Sequence, residues 1–464
     1  MRPLAGVLFV FGLACLVPAQ GWTDRTGPTS PGTSYPTSMA FDQVGGLTIL
    51  VKPNAQGTAY ETWSWDGAAW ASLGGAPMRL SGLVWHEPSQ QVVGVSCTTP
   101  QTAPITYSLH AWTGSGWSSA LGSATLPSNA LGLTVVRGAF DPNRQEIVFR
   151  TPGANLPSVL VFDGSSLFVR QMASAPAFTS APEDLAWDPA SQKVVMARSE
   201  SYPALIGSTW MNLPIVRFYE WSGYGWNIRI PSVSPGNMGA MATDTLRQRI
   251  VLLDGDYPGS QTMGGNQPHH TWTFGSGVAT QLSTQVAPVA RVYTAMAFDS
   301  QRGVIVLFGG TAGALGTLAD TWEFDLGPVA SFTAYGSGCP GSRGVPQVSA
   351  PLGSLPRIGT TFNVQVSNLP LTGPAFLGIG LSDTSYGGSP LPLDLSSVGA
   401  PGCHLLQSLD VLLPLANVLG SANWSFTVPA IPGGEFFVQA FPFDPPASAF
   451  GYTASNAGKA VLGL

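Results

Sequence analysis

Arg291-Val292-Tyr293-Thr294-Ala295-Met296-Ala297-Phe298-Asp299 is followed by Arg302-Gly303-Val304-Ile305-Val306-Leu307-Phe308-Gly309-Gly310 and, after a short gap, by Asp320-Thr321-Trp322-Glu323-Phe324-Asp325. Each run is rich in β-branched and aromatic residues and stops at Asp or Gly, so each reads as a strand bounded by a turn. The same internal order recurs upstream. Ala297-Phe298-Asp299 has counterparts in Ala40-Phe41-Asp42, Val84-Trp85-His86, Ala139-Phe140-Asp141, Ala186-Trp187-Asp188 and Ala242-Thr243-Asp244. A later aromatic closes a third strand at Trp65, Trp112, Phe162, Trp221, Phe274 and Phe324. Between the two anchors lies an apolar run, such as Leu47-Thr48-Ile49-Leu50-Val51 or Ile147-Val148-Phe149. Both series step by between 44 and 59 residues.

Six units with one internal order predict a β-propeller. A four-stranded sheet alone exposes two apolar faces, and radial packing about an axis buries both. Phe140-Asp141-Pro142-Asn143-Arg144 and Trp187-Asp188-Pro189-Ala190-Ser191 carry the Asp and Pro of tight turns after the first strand. Trp65-Asp66-Gly67-Ala68-Ala69-Trp70, Trp112-Thr113-Gly114-Ser115-Gly116-Trp117 and Trp221-Ser222-Gly223-Tyr224-Gly225-Trp226 read as hairpins into a fourth strand opened by Trp. Gly21-Trp22-Thr23 resembles a stray fourth strand, so the N-terminus is expected to complete the sixth blade. Ala330-Ser331-Phe332-Thr333 is the competing candidate, and a hidden seventh blade stays open.

Composition agrees with an all-β chain. Gly (56) and Pro (40) leave little room for long helices. Hydrophobic residues make up 44% of the chain, with 14 Trp and 22 Phe recurring regularly, which separates it from a disordered Gly/Pro-rich polymer. Charged residues are only 9%, and the net charge of −6 leaves no basic stripe for nucleic acid. Met1-Arg2, the apolar run from Val7 to Val17 and the small residues of Val17-Pro18-Ala19 read as a signal peptide over 1–19, cleaved before Gln20. That implies export to the periplasm, the cell surface or the medium. No later apolar stretch is long enough for a membrane helix.

Phe308-Gly309-Gly310 followed by Asp320-Thr321-Trp322-Glu323-Phe324 resembles a kelch repeat, whose blades carry a double glycine and a later aromatic. The resemblance covers about residues 21–328. It is full in the sixth unit, reduced to Asp254-Gly255 in the fifth, and lacks the double glycine in the first four. It implies a kelch-like propeller, without transferring any particular kelch partner.

Beyond Asp325-Leu326-Gly327-Pro328 the pattern changes to short strand-like runs, including Phe362-Asn363-Val364-Gln365-Val366 and Phe436-Phe437-Val438-Gln439-Ala440. Their spacing suggests a β-sandwich. Gly338-Cys339-Pro340-Gly341-Ser342, Leu391-Pro392-Leu393-Asp394-Leu395, Gly402-Cys403 and Ser455-Asn456-Ala457 together resemble a C-terminal module of exported bacterial proteins. Its position suggests sorting or surface attachment. Cys339 and Cys403 share this region, and a disulfide between them fits an exported chain. Cys97 sits in an apolar run and reads as a buried thiol.

Chemistry is sparse. Copper-radical oxidases occur among kelch-type propellers and need two His, a Tyr and a Tyr–Cys pair at the axis. The chain offers His86, His110, His269, His270 and His404, with Cys97 near Tyr107. Adjacent His269 and His270 on a strand would point to opposite faces and could not share a site. The hairpin at Ser64–Trp70 resembles the Asp-box turns of sialidase propellers with different spacing. Arg79, Arg137 and Arg291 lie near first strands and could hold a carboxylate, or bridge blades. Glu183-Asp184, Asp254 and Asp256 could form a carboxylate or calcium cluster, or be solubilising groups. Asn423-Trp424-Ser425 fits a glycosylation sequon but opens a predicted strand. No phosphate loop, zinc spacing or nucleophile elbow appears.

The sequence therefore predicts an all-β chain: a signal peptide over 1–19, a six-bladed kelch-like β-propeller over 20–328 and a β-sandwich over 329–464. It assigns no catalytic residue, metal ligand or cofactor. The expected function is that of an exported, monomeric binding or cell-surface protein presenting propeller loops to a protein or glycan. The alternative is a carbohydrate-active propeller enzyme: a lyase, hydrolase or oxidase. The long stretches from Arg198 to Val216 and from Gly255 to Thr271 are where a functional face is expected.

Overall fold

β-branched runs punctuated every few residues by Gly, Asp and Pro cannot extend into helices, and the chain folds almost entirely as short antiparallel strands. The computed structural model describes residues 21–33, 37–98, 104–126, 136–150, 158–172, 183–206, 209–255, 270–429 and 434–463. Gly21–Asp325 forms one compact unit, and the residues from Leu326 onward form another.

The first unit holds six four-stranded antiparallel sheets. Five are contiguous in sequence, as in blade 1 with Ser38–Asp42, Leu47–Pro53, Tyr60–Trp65 and Trp70–Ala76. Blade 6 is composite: Ala295–Asp299, Val304–Ala312 and Gly316–Asp325 are joined by the N-terminal strand Gly21–Asp24. Gly21 pairs with Asp325 and Trp22 with Phe324. The competing segment, Ser331–Tyr335, pairs instead with Ala457–Val461 in the second unit. The first strands of successive blades contact one another all the way round, and that of blade 6 contacts that of blade 1. The ring is closed.

The aromatic anchors Trp65, Trp112, Phe162, Trp221, Phe274 and Phe324 occupy equivalent buried places. Each faces a residue at the entry to the fourth strand, called its opening residue here, with Trp65–Trp70, Trp112–Trp117 and Trp221–Trp226 centroids 5.4, 5.5 and 5.0 Å apart. That opening residue meets the third strand of the preceding blade, three positions before its anchor. The Trp70 indole N–H donates to Thr321 Oγ1 (2.8 Å), Trp117 to Thr62 (2.9 Å) and Trp22 to Thr271 (2.8 Å). Where the opening residue is not Trp the partner is apolar: Leu167 shares a core cluster with Leu109, and small Ala279 shares one with bulky Phe218. Blade 4 breaks the rule, because Trp226 meets Val159 and its buried indole N–H has no hydrogen-bond partner. A buried donor left unsatisfied costs about 1–3 kcal/mol. Val159→Thr, which is nearly isosteric, is therefore expected to raise stability by about 1 kcal/mol in urea unfolding; an unchanged or lower midpoint would refute the pairing.

The turn after each first strand is equally regular. Asp141 Oδ1 accepts the N–H groups of Asn143 (3.0 Å) and Arg144 (3.1 Å), Asp244 those of Leu246 and Arg247, and Asp299 those of Gln301 and Arg302. Four residues after the Asp the chain turns left-handed, at Gly46 and Gly303 but also at Gln90, Gln145, Gln192 and Gln248. Gln90 and Gln145 use their side-chain amides to donate to the carbonyls of Glu87 and Pro142 (both 2.7 Å), which favours Gln at a position otherwise suited to Gly.

Blade 2 has His86 in place of the Asp. Its Nδ1 shares a 2.7 Å hydrogen bond with Ser89 Oγ, and its ring lies edge-on to Phe140 and Phe162 of blade 3. Burial lowers its pKa from the ordinary 6.5, so the native state holds it neutral. The unfolded chain protonates it first. Its contribution is therefore complete above pH 6.5 and is lost as pH falls from there through the folded pKa. The urea midpoint is expected to drop more between about pH 7.5 and pH 5 in the natural chain than in His86→Asp, which restores the residue of the other turns; equal drops would refute this.

In the second unit a five-stranded sheet runs in the order Ser331–Tyr335, Ala457–Val461, Glu435–Pro442, Ala375–Gly380, Val411–Leu415. A three-stranded sheet comprises Gln347–Ser349, Thr361–Ser367 and Ala422–Thr427. Val364 and Phe362 from the latter share one core with Leu377, Val438 and Ala440 from the former, the arrangement of a sandwich. Cys339 and Cys403 form a disulfide, with Cα atoms 4.8 Å apart. Cys97 is a buried free thiol.

Candidate functional site

The Ala-Phe-Asp triplets that mark the repeat also line a cavity at the ring axis. Each first strand runs beside the axis, and its last residues and the following turn line a funnel of about 380 Å³. The mouth is formed by the residues after the Asp or His: Gln43, Glu87, Pro142, Pro189, Thr245 and Ser300. Next come Phe41, Trp85, Phe140, Trp187, Thr243 and Phe298, five aromatic residues and one threonine. Beyond them lie Ala40, Val84, Ala139, Ala186, Ala242 and Ala297, and then Met39, Leu83, Gly138, Leu185, Met241 and Met296. Exposure falls along this path: Gln43, Glu87, Pro142 and Thr245 are exposed, Trp85, Phe140, Trp187 and Phe298 half-buried, and the small residues buried.

The far end of the axis carries a polar closure. Arg137 of blade 3 donates from Nη1 to the Thr37 carbonyl beside blade 1 (3.3 Å), and its Nε lies 3.7 Å from Asp184 of blade 4. Asp184 Oδ2 accepts the Met241 N–H of blade 5 (3.0 Å). Blades 1 and 3 are not neighbours, so this network spans the axis. Burial raises the Asp184 and Glu183 carboxyls, against the pull of Arg137 on Asp184 and of Arg150 on Glu183. Neither carboxylate lines the funnel. Among the described lining residues Glu87 alone is ionisable, and it accepts from the Trp85 indole (2.7 Å) and from Gln90 Nε2 (3.2 Å).

Among the described residues the structure brings the other candidates together in pairs, not in one site. Arg291 grips Asp320 within blade 6, Arg137 bridges blades 3 and 4, and Arg79 sits near Tyr60 and Cys97. His270 pairs with Asp254 (3.0 Å), and His110 bonds Ser96 and the Ser118 carbonyl. His269 and Asp256 lie outside the described residues, as does most of the stretch from Gly255 to Thr271. Cys97 and Tyr107 are cross-strand partners in blade 2, and burial raises the thiol to about 11. Among the described residues no three His, Cys, Asp or Glu are grouped to hold a metal ion. The stretch from Arg198 to Val216, expected as a loop, is instead a projecting hairpin. Lys193–Ile206 and Thr209–Trp221 stay paired to Ile206 and Thr209.

Fold and cavity define a six-bladed β-propeller with an axial funnel lined by aromatic and small residues. No protein-family model matches the chain, and no curated protein matches it. Among solved structures it is similar to that of regucalcin, a calcium-binding protein from Agrobacterium tumefaciens, at 11% identity and a TM-score of 0.41, covering 66% of this chain and 95% of that one.

Proposed function

We propose that this chain is an exported, non-catalytic binding protein of kelch-like design, acting as a monomer. Its propeller holds a protein or glycan, and residues 329–464 serve as an accessory module for sorting or surface retention. The observation that carries this reading is the chemistry of the funnel. Catalysis by proton transfer needs paired groups within reach of one substrate, and the only ionisable group among its described lining residues is an acid already held by an indole. Aromatic faces with a few polar groups are the usual surface of a ligand pocket. The leader over 1–19 and the resemblance of the C-terminal region to modules of exported bacterial proteins support export.

A glycan array paired with mass-spectrometric analysis of the bound ligands tests the reading. Binding without change in ligand mass is the expected result. Product formation would replace it with the carbohydrate-enzyme alternative. Unchanged export and retention after deletion of residues 331–464 would remove the role given to that module.

A further inference from the structure

We infer that the axial funnel takes the terminal ring of a neutral saccharide, entering from the face that carries the Asp turns; this rests on the binding reading above and gives it a site and a ligand class. Three observations converge. The half-buried rings of Trp85, Phe140, Trp187 and Phe298 come from four blades at equivalent positions beside one axis. They offer flat apolar surface to the C–H face of a pyranose while remaining reachable from solvent. The mouth adds uncharged hydrogen-bonding groups, the amide of Gln43 and the hydroxyls of Thr245 and Ser300, beside Gln248, whose Nε2 donates to the Thr245 carbonyl (2.5 Å); these match a hydroxyl-rich ligand. The sole ionisable group among the described lining residues is an acid, Glu87, so an anionic ligand would be desolvated there without a counter-charge.

Depth and shape narrow the choice further. A cavity of about 380 Å³, lined below the aromatic level by Ala, Val, Met and Leu residues, admits the end of a chain rather than its middle. The ring of aromatics is incomplete at blade 5, where Thr243 turns its hydroxyl to the Trp187 carbonyl (2.6 Å). That gap leaves space on one side, so the ligand lies toward blade 5 with Trp187 as neighbour. An aromatic peptide side chain could stack on the same rings, but it brings few groups for the amides and hydroxyls of the mouth. The saccharide satisfies both layers.

The test is a tryptophan-fluorescence titration of the whole chain with cellobiose, maltose, lactose and chitobiose, beside digalacturonic acid and the dipeptide Gly-Trp. At least one neutral disaccharide is expected to bind, with affinity unchanged between about 0.05 and 0.5 M NaCl. Trp187→Ala is expected to weaken it about ten-fold. Thr243→Phe adds bulk at the gap instead of removing core, and is expected to abolish binding with unchanged thermal unfolding. Saccharide binding that both variants leave intact would overturn the site while sparing the binding reading. Selective binding of digalacturonic acid or of Gly-Trp would overturn the ligand class. A chain that binds none of these probes and no glycan on the array would overturn the inference and leave the reading itself to protein ligands alone.

Discussion

Removal of residues 21–25 is expected to abolish the single cooperative unfolding transition of the propeller and to expose it to limited proteolysis. The strand Gly21–Asp24 supplies the entire outer edge of blade 6. Trp22 is 5% exposed, lies 4.9 Å from the Phe324 ring and donates to Thr271 in blade 5. Truncating such a buried aromatic costs about 3–5 kcal/mol, so Trp22→Ala alone should take a large share of the stability of an ordinary domain. The deletion also removes a four-residue ladder and, with Arg25, the ion pair to Glu323 (3.1 Å). Thermal unfolding by near-ultraviolet circular dichroism checks both variants. A deletion protein melting within a few degrees of the full chain would show that the ring closes without this strand. Because Gly21 pairs with Asp325, the closing strand waits through about 300 residues of synthesis, some 15–60 s at ribosomal rates.

The second large effect is expected at Arg291. Its side chain is fully buried, donating to both oxygens of Asp320 (2.5 and 2.8 Å) and to the carbonyls of Gly309 (2.9 Å) and Val289 (3.0 Å). Burial pushes the Asp320 carboxyl up, but the Arg291 fork outweighs it and holds the group below the ordinary carboxylate range. Arg291→Met leaves that carboxylate without its cation, and breaking a buried pair from one side costs about 3–5 kcal/mol. Removing both charges with Arg291→Met/Asp320→Leu is expected to recover much of the loss, since apolar replacements of whole pairs are often neutral. Guanidinium unfolding of the four species gives the coupling directly. A single-variant loss under about 1 kcal/mol would mean the fork contributes no more than a surface pair. The Gly309 carbonyl in this network belongs to the double glycine, where Gly309 and Gly310 both have positive φ. A Cβ on Gly310 would stand 2.9 Å from the Thr294 Cβ and the Val292 carbonyl.

The repeat was legible because every blade must solve the same packing problem with the same residue types. The Ala-Phe-Asp triplets, the apolar second strands and the Trp hairpins all fall where the sheets need them, and Trp22 marked the N-terminal strand as a fourth strand. The funnel was less legible. Phe41, Trp85, Phe140, Trp187 and Phe298 read as strand anchors, since nothing in a linear period says which strand lies nearest the axis. The left-handed glutamines were also overlooked, although Gln90, Gln145, Gln192 and Gln248 each follow the turn residue by four positions. Arg79, Arg137 and Arg291 occupy similar places in their blades but have different partners, and only three-dimensional neighbours separate a binding trio from three unrelated contacts. The stretch between Arg198 and Val216 was singled out for its length alone, yet its ladder continues past Pro203 and Pro214.

The Trp–Thr pairing between blades bears on how such a ring could change its blade number by gene duplication. A tandem copy of a blade creates one new junction, between its own opening residue and its own third strand. Copying blade 1 would set Trp70 against Thr62, a donor facing an acceptor. Copying blade 2 or blade 4 would set an indole against Leu109 or Phe218, and blade 6 is not contiguous. Copying blade 3 or blade 5 would set Leu167 against Val159 or Ala279 against Thr271, so among the contiguous blades opened by Trp, blade 1 alone could seed a seventh repeat without stranding a buried indole.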